Sequence, residues 1–331
     1  MTQPTNLELF LITYNRKEKC RLTLETVLAD NSPVKNLPLT ILDNCSTDGT
    51  SEMLAEFAKV HPNIRLIRHE KNIGGNANIA HAFEMARAPY VWVLCDDDKY
   101  DFSGWEECEN ALSQNPPAVV VANYGHPQKG PAYLFRQLSF VPAGIYRTDL
   151  ITSDVLMNMY FSISNLFPQL SVAAAAINTC QPLPILDKPL VTMQLNPDND
   201  SYLRGTSTKS QAHPLMGEMF WSLGYLRSIQ MLHDKKTQCA CSGLAFAEEN
   251  KSFYFFLCNW VRMTHKNFLA AYFEAIHLLH GKAKWKFMLF APFIFLLFFY
   301  SDEKGLNICL FGFAKTRIWK YKSTRHAETK N

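Results

Sequence analysis

The chain has 331 residues, 47% of them hydrophobic and 19% charged, with a formal net charge of +3. That balance excludes a disordered chain, a collagen and a small disulfide scaffold, and leaves room for about two domains with a large core. It also predicts no nucleic-acid partner. Residues 7–12 are an apolar run fit for a buried strand, and a helix is expected over about 17–29. Residues 38–42 make a second strand. Ser46 and Asp48 then suit the capped start of a helix carried by Met53, Leu54 and Phe57. A third strand at 64–67, a helix at 76–87, a fourth strand at 90–94, a helix at 102–112 and a fifth strand at 118–122 follow. This rhythm predicts an α/β fold, with a mainly parallel, Rossmann-like sheet and helices on both faces. Gly125, Pro127, Gly130 and Pro131 mark a loop, 140–147 returns to the sheet, and the pattern from Asp149 onward is largely helical, with a polar break at 196–201.

The polar residues of interest sit just after strands. Thr13, Tyr14, Asn15 and Arg16 follow the first, the run from Asp43 to Thr50 the second, Asn72, Gly74, Gly75 and Asn78 the third, and Asp96, Asp97 and Asp98 the fourth. In a doubly wound sheet these four clusters meet at the carboxyl ends of the strands, where the ligand crevice lies. Asp43 can accept a hydrogen bond from a base N–H, Tyr14 can stack on a base, and Arg16 can meet phosphate. Each also has a plain reading, as a turn Asp, a core Tyr and a surface Arg. Gly74 and Gly75 let backbone approach a ligand or turn sharply, and Asn78 can orient that loop. Three consecutive carboxylates repel one another. A hard divalent cation, Mn²⁺ or Mg²⁺, relieves that cost and can neutralise a diphosphate leaving group. The plain reading is an acidic surface turn.

The sequence has no G-x-G-x-x-G after the first strand, no P-loop and no G-x-S-x-G elbow. The four elements together resemble the family 2 glycosyltransferases of the GT-A fold over roughly residues 7–122. The resemblance implies that Thr13, Tyr14, Asn15, Arg16, Asp43, Asn72, Gly74 and Asn78 hold a nucleotide-sugar donor with Asp96 and Asp97. It implies a DXD-type metal site at Asp96 and Asp98. Cys95 stands where members commonly bear an acid, which leaves open which two of the three aspartates bind metal. Residues 142–147 resemble the segment before the family's acceptor site. An acidic pair usually follows and supplies the general base, but Phe167, Pro168, Gln169 and Leu170 occupy that place here. Asp154 is the first candidate for the base, with Asp149 and Asp187 behind it; all three also suit turns or helix starts.

The expected layout is a GT-A domain over 1–215, with a donor half to about 122 and an acceptor half from 123, then a helical extension over 216–331. Residues 287–300 carry no charge but are 14 in number, short of the ~20 that span a bilayer. Between Lys282 and Arg325 there are nine basic and two acidic residues, with Trp285, Trp319 and Tyr321 among them. This predicts attachment to a membrane surface through 282–325, ahead of a buried helix or a true span. Nine scattered cysteines and no leader-like start predict a cytoplasmic protein, peripheral on the inner face of the membrane. The expected activity is inverting, metal-dependent sugar transfer to a lipid-linked or lipopolysaccharide acceptor in O-antigen, lipopolysaccharide or capsule synthesis. A non-catalytic sugar-nucleotide-binding subunit and a nucleotidyltransferase are the alternatives.

Overall fold

The computed structural model describes residues 6–113, 116–122, 130–193, 218–245 and 268–304. The chain runs β1 (Leu7–Thr13), α1 (Lys17–Val27), β2 (Leu39–Asp43), α2 (Thr50–Val60), β3 (Ile64–Arg68), α3 (Gly75–Met85) and β4 (Tyr90–Cys95). Successive side chains of a strand point to opposite faces. Leu9 and Leu11 therefore meet Cys20, Leu24, Met53 and Leu54 on one side of the sheet, while Phe10 packs with Ala80 and Phe83 on the other. β2 is buried at every position, the mark of a strand covered on both faces. β3 is the edge, and Arg65 and Arg68 are its exposed positions.

The six-stranded sheet has the order β3-β2-β1-β4-β7-β6. β1 pairs in parallel with β2 and β4, so Thr13 lies level with Asp43, and Ile12 with Cys95. β7 (Gly144–Arg147) runs antiparallel between β4 and β6 (Val119–Val121). Arg147 is consequently level with Tyr90, where β4 begins. The chain thus leaves β7 at the edge opposite the crevice, and the Thr148 hydroxyl donates to the Ala88 carbonyl there (2.7 Å).

α4 (Trp105–Ser113) covers the first face of the sheet, and α5 (Pro131–Gln137), α6 (Ser153–Phe161) and α7 (Leu170–Asn178) the second. α8 (Glu218–Ile229), α9 (Lys235–Leu244), α10 (Phe268–Leu278) and α11 (Gly281–Lys304) extend that second layer. Tyr225, Ile229, Ala271, Ala275, Phe287 and Ala291 belong to the same apolar cluster as Phe10 and Phe83. α8 lies against the short 3-10 turn Ser162–Asn165. A Cβ on Gly224 would overlap the Asn165 carbonyl oxygen, so only glycine permits this approach. Arg227 of α8 donates to Asn165 Oδ1 (2.6 Å) and to Glu274 of α10 (2.7 Å).

Several expectations change. α5 starts at Pro131, where a loop was expected, because proline suits the first helical turn. α2 starts at Thr50 with Gly49 as its N-cap, so Ser46 is not a cap. A two-stranded ribbon of β5 (Lys99–Tyr100) and β8 (Val191–Thr192) is too short to show in periodicity. No helix among the described residues is long and apolar enough to cross a membrane. The domain boundary at 215, the polar break at 196–201, Gly125, Pro127, and the tail with Trp319 and Tyr321 lie outside the described residues.

Candidate active site

The crevice edge is built from the ends of β1, β2, β3 and β4, and polar side chains there hold one another in a row. Thr13, the last residue of β1, donates from Oγ1 to Asp96 Oδ2 at 2.6 Å. Asp96 follows β4 and is buried. Its other oxygen accepts from Arg16 at 2.8 Å, and Thr23 of α1 donates to its carbonyl at 3.1 Å. Arg16 also bridges to Asp97 at 2.9 Å. Burial pushes the Asp96 carboxyl above its ordinary range, and the Arg16 cation and Thr13 hydroxyl oppose that push. The same burial, with the three aspartates close by, drives the Cys95 thiol well up, so it stays a protonated packing group.

Asp43, at the end of β2, has no exposure at all. It accepts the Ser46 N–H (3.0 Å) and the Ser51 hydroxyl, and Arg68 Nε lies 3.5 Å away. Asn15, in a left-handed conformation at φ 49°, ties the β1 loop to the β2 loop. Its N–H donates to Ser46 Oγ (2.9 Å), and its Oδ1 accepts the Thr47 N–H (2.7 Å). Ser46 therefore anchors the loop that carries Tyr14. The Tyr14 ring is 42% exposed beside the crevice.

The third cluster closes the row. Asn72 Oδ1 accepts from Asn44 Nδ2 and from the Gly74 N–H, each at 2.8 Å. Gly74 has φ 88° and ψ 150°, a conformation open essentially to glycine alone. Asn78 is buried, donates to the Leu42 carbonyl (3.1 Å) and faces His69 Nε2 (2.9 Å). Asn44, His69, Arg68 and Thr23 escape the sequence reading. Asn44 is the one with a signal, as a polar residue inside the quoted strand-end run.

The structure thus brings together Thr13, Asn15, Arg16, Asp43, Asn72, Gly74, Asn78, Asp96 and Asp97, with Tyr14 and Asp98 beside them. It does not bring Asp154 to them. Asp154 stands in the first turn of α6, shortly after β7 has delivered the chain to the opposite edge. Six residues of β4 at ~3.3 Å each separate the two edges by about 20 Å. The Asp154 assignment is corrected on that ground. Asp149, ion-paired to Arg147, is excluded the same way. Asp187 accompanies Glu107 of α4 on the other flank of the sheet. In the Phe167–Leu170 segment Gln169 is buried, and its Nε2 donates to the Ser139 carbonyl (2.6 Å).

For a metal, the donor set divides. Both Asp96 oxygens are engaged by Thr13 and Arg16. Among the described residues no group of three His, Cys, Asp or Glu side chains could hold an ion alone. A partly exposed pair, Asp97 and Asp98, fits a cation that takes its remaining ligands from phosphate and water.

Sheet order and crevice edge together are those of the GT-A fold. Residues 9–168 match the model of glycosyl transferase family 2. Among curated proteins it is similar to a putative teichuronic acid biosynthesis glycosyltransferase, TuaG, of Bacillus subtilis. The two are 33% identical over 88 residues, 27% of this chain and 34% of the relative. It is 27% identical over 152 residues to the poly(ribitol-phosphate) β-N-acetylglucosaminyltransferase TarP of Staphylococcus aureus, covering 45% of this chain and 43% of the relative. The chain therefore spans about a third to two-fifths of these relatives. Among solved structures, S. aureus TarS in complex with UDP-GlcNAc shares the fold, with a TM-score of 0.56 at 14% identity over 90% of this chain and 92% of that one.

Proposed function

We propose that the protein transfers a sugar, with inversion, from a nucleotide-sugar to a membrane-bound glycan or glycolipid during synthesis of a bacterial surface polysaccharide such as O-antigen, lipopolysaccharide or capsule. One observation carries the reading: Thr13, Asp43 and Asp96 end adjacent parallel strands at one edge, tied by the Thr13–Asp96 and Arg16–Asp96 bonds. The names of the relatives support the polysaccharide class, and the UDP-GlcNAc bound to TarS supports a nucleotide-sugar donor.

In this reading Tyr14 stacks on the base, the buried Asp43 fixes the loop after β2 through Ser46 and Ser51, and the Asn44–Asn72 pair holds the loop around Gly74. Arg16 opposes the upward push that burial exerts on Asp96 and faces the diphosphate. Asp98 with Asp97 would hold Mn²⁺ or Mg²⁺, whose charge would stabilise the nucleoside diphosphate as it leaves. The acceptor hydroxyl attacks the anomeric carbon in line, the bond to the diphosphate breaks, and a base takes the hydroxyl proton. The site of action is the cytoplasmic face of the membrane, with 282–325 as the attaching region.

The test is calorimetric titration with UDP-, GDP-, dTDP- and CDP-sugars in Mn²⁺ and then in EDTA. Binding of one donor that weakens on chelation is expected. No binding to any donor would sink the reading. A second reading, a donor-binding protein without transferase activity, is favoured by the neutral Phe167–Leu170 segment and by the remote Asp154. It predicts tight donor binding with no release of nucleoside diphosphate in the presence of membrane extract.

A further inference from the structure

α10 and α11 form an antiparallel pair whose inner faces are buried through Ala271, Ala275, Phe287 and Ala291. Phe268 stacks on Phe295 and Tyr272 on Phe287, and the Tyr272 hydroxyl donates to the Met288 carbonyl (3.0 Å). The outer faces are apolar too. Leu269, Phe273, Trp285, Leu289, Phe293 and Leu296 are 51–70% exposed. On α11 the last four recur at i, i+4, i+8 and i+11, which makes one stripe along the helix. A water-facing helix would be polar at those positions, and six large apolar side chains on two neighbouring helices are more than scattered exposure.

One end of this face is basic. Lys282, Lys284 and Lys286 lead into the stripe, and no acid occupies the first turn of α11. Gly281 packs against Cys239 of α9, where an added Cβ would come within 3.0 Å of Sγ. That contact brings the exposed Lys235 and Lys236 of α9 to the same end. His280 reports the cluster: burial first, then Lys284 and Lys235, hold its imidazole below the ordinary range.

We propose that the outer face of the α10–α11 pair seats on an anionic bilayer, the stripe in the headgroup–acyl boundary and the lysines on lipid phosphates. Aromatic and aliphatic side chains beside Lys stems are the composition that such an interface takes. Two of its six apolar side chains, Leu269 and Phe273, lie upstream of residue 282, on α10. Through the membrane-bound acceptor the proposal rests on the transferase reading, and it states how that acceptor's membrane meets the crevice. Glu274 of α10 holds Arg227, Arg227 holds Asn165, and Asn76 in the first turn of α3 donates to the Ile163 carbonyl (2.7 Å). The seated face and the Gly74 rim are thereby linked through side-chain bonds at both ends of the Ser162–Asn165 turn and the backbone of that turn between them.

The test uses the full chain. Wild type, Trp285→Ser/Leu289→Ser/Phe293→Ser, Leu269→Ser/Phe273→Ser and Lys282→Glu/Lys284→Glu are sedimented with phosphatidylcholine vesicles, with and without phosphatidylglycerol. Donor affinity and thermal melting are read on the same preparations. Wild type should pellet with the anionic vesicles, and each variant should lose at least about tenfold in partition while keeping its melt and donor affinity. Unchanged partition in both apolar variants overturns the proposal. So does equal binding to neutral and anionic vesicles, or a wild-type dimer that the apolar variants dissolve with no change in vesicle binding. Vesicle binding as expected with no donor bound by any preparation would retire the transferase reading and leave the docking face standing.

Discussion

Asp96 and Asp98 are two residues apart and differ in burial. Asp96 is buried, with Thr13 on one oxygen and Arg16 on the other, so its charge is a structural part of the crevice. Asp96→Asn turns an amide donor toward either Thr13 or Arg16 and strands a polar atom. A loss of about 2–3 kcal/mol is expected in urea unfolding. If the proposed metal reading holds, Asp98→Asn should abolish the Mn²⁺ dependence of donor affinity, read by calorimetry with and without EDTA. A pH dependence arises nearby. His81 is held below its ordinary value by burial first and then by His69, whose ring centroid lies 5.2 Å away, with Glu84 opposing. The folded state therefore binds fewer protons than the unfolded chain, whose His81 titrates near 6.5. Stability is full above that value and falls as the pH drops through it. The urea midpoint of wild type should decline from pH 7 to 5, and His81→Gln should flatten that decline. Thr13, Asp43 and Asp96 were legible in the sequence because each directly follows an apolar strand. The Arg16 bridge was not, since its partners lie 80 residues away and only the pairing of β1 with β4 brings them together.

Two glycines show that an element can depend on a missing side chain for different reasons. Gly74 opens α3 with a φ of 88°, and a Cβ there would meet nothing within 4 Å. Gly74→Ala should therefore cost only the backbone strain, about 1–3 kcal/mol. Gly224 is crowded instead. Its Cβ would overlap the Asn165 carbonyl, so Gly224→Ala must push α8 off the 3-10 turn, at about 3 kcal/mol or more. Thermal melts of the two variants should rank them in that order. The strands and helices up to β4 were legible because their apolar runs are long and regular. β7 was legible as a strand but its direction was not: four residues carry no sign of parallel or antiparallel pairing. The antiparallel pairing is what leaves Asp154 on the far edge.

At the scale of the molecule, the sheet and the C-terminal helices share one core. Phe287, Ala291 and Ile294 are buried in the cluster that includes Phe83 and Phe135. The expectation that 282–325 attaches to a membrane surface did not foresee that part of its apolar run is core. Over 287–296 the run divides lengthwise, one side inward and the other outward, and hydropathy alone does not register that division. Deletion after Gly281 therefore removes core as well as surface. It should lower stability by about 2–5 kcal/mol for each large side chain lost, seen as a collapsed melt or insoluble protein, so point variants of the outer stripe are the cleaner probe.

The reversal of direction at β7 also has a practical use. It gives the protein an edge about 20 Å from the crevice where Asp149, Thr152, Ser153 and Asp154 are accessible and none touches a donor-side residue. A cysteine-linked fluorophore or a surface-immobilising tether placed at Ser153 would leave the strand ends facing solution. Donor arrival and vesicle docking could then be watched on one immobilised molecule.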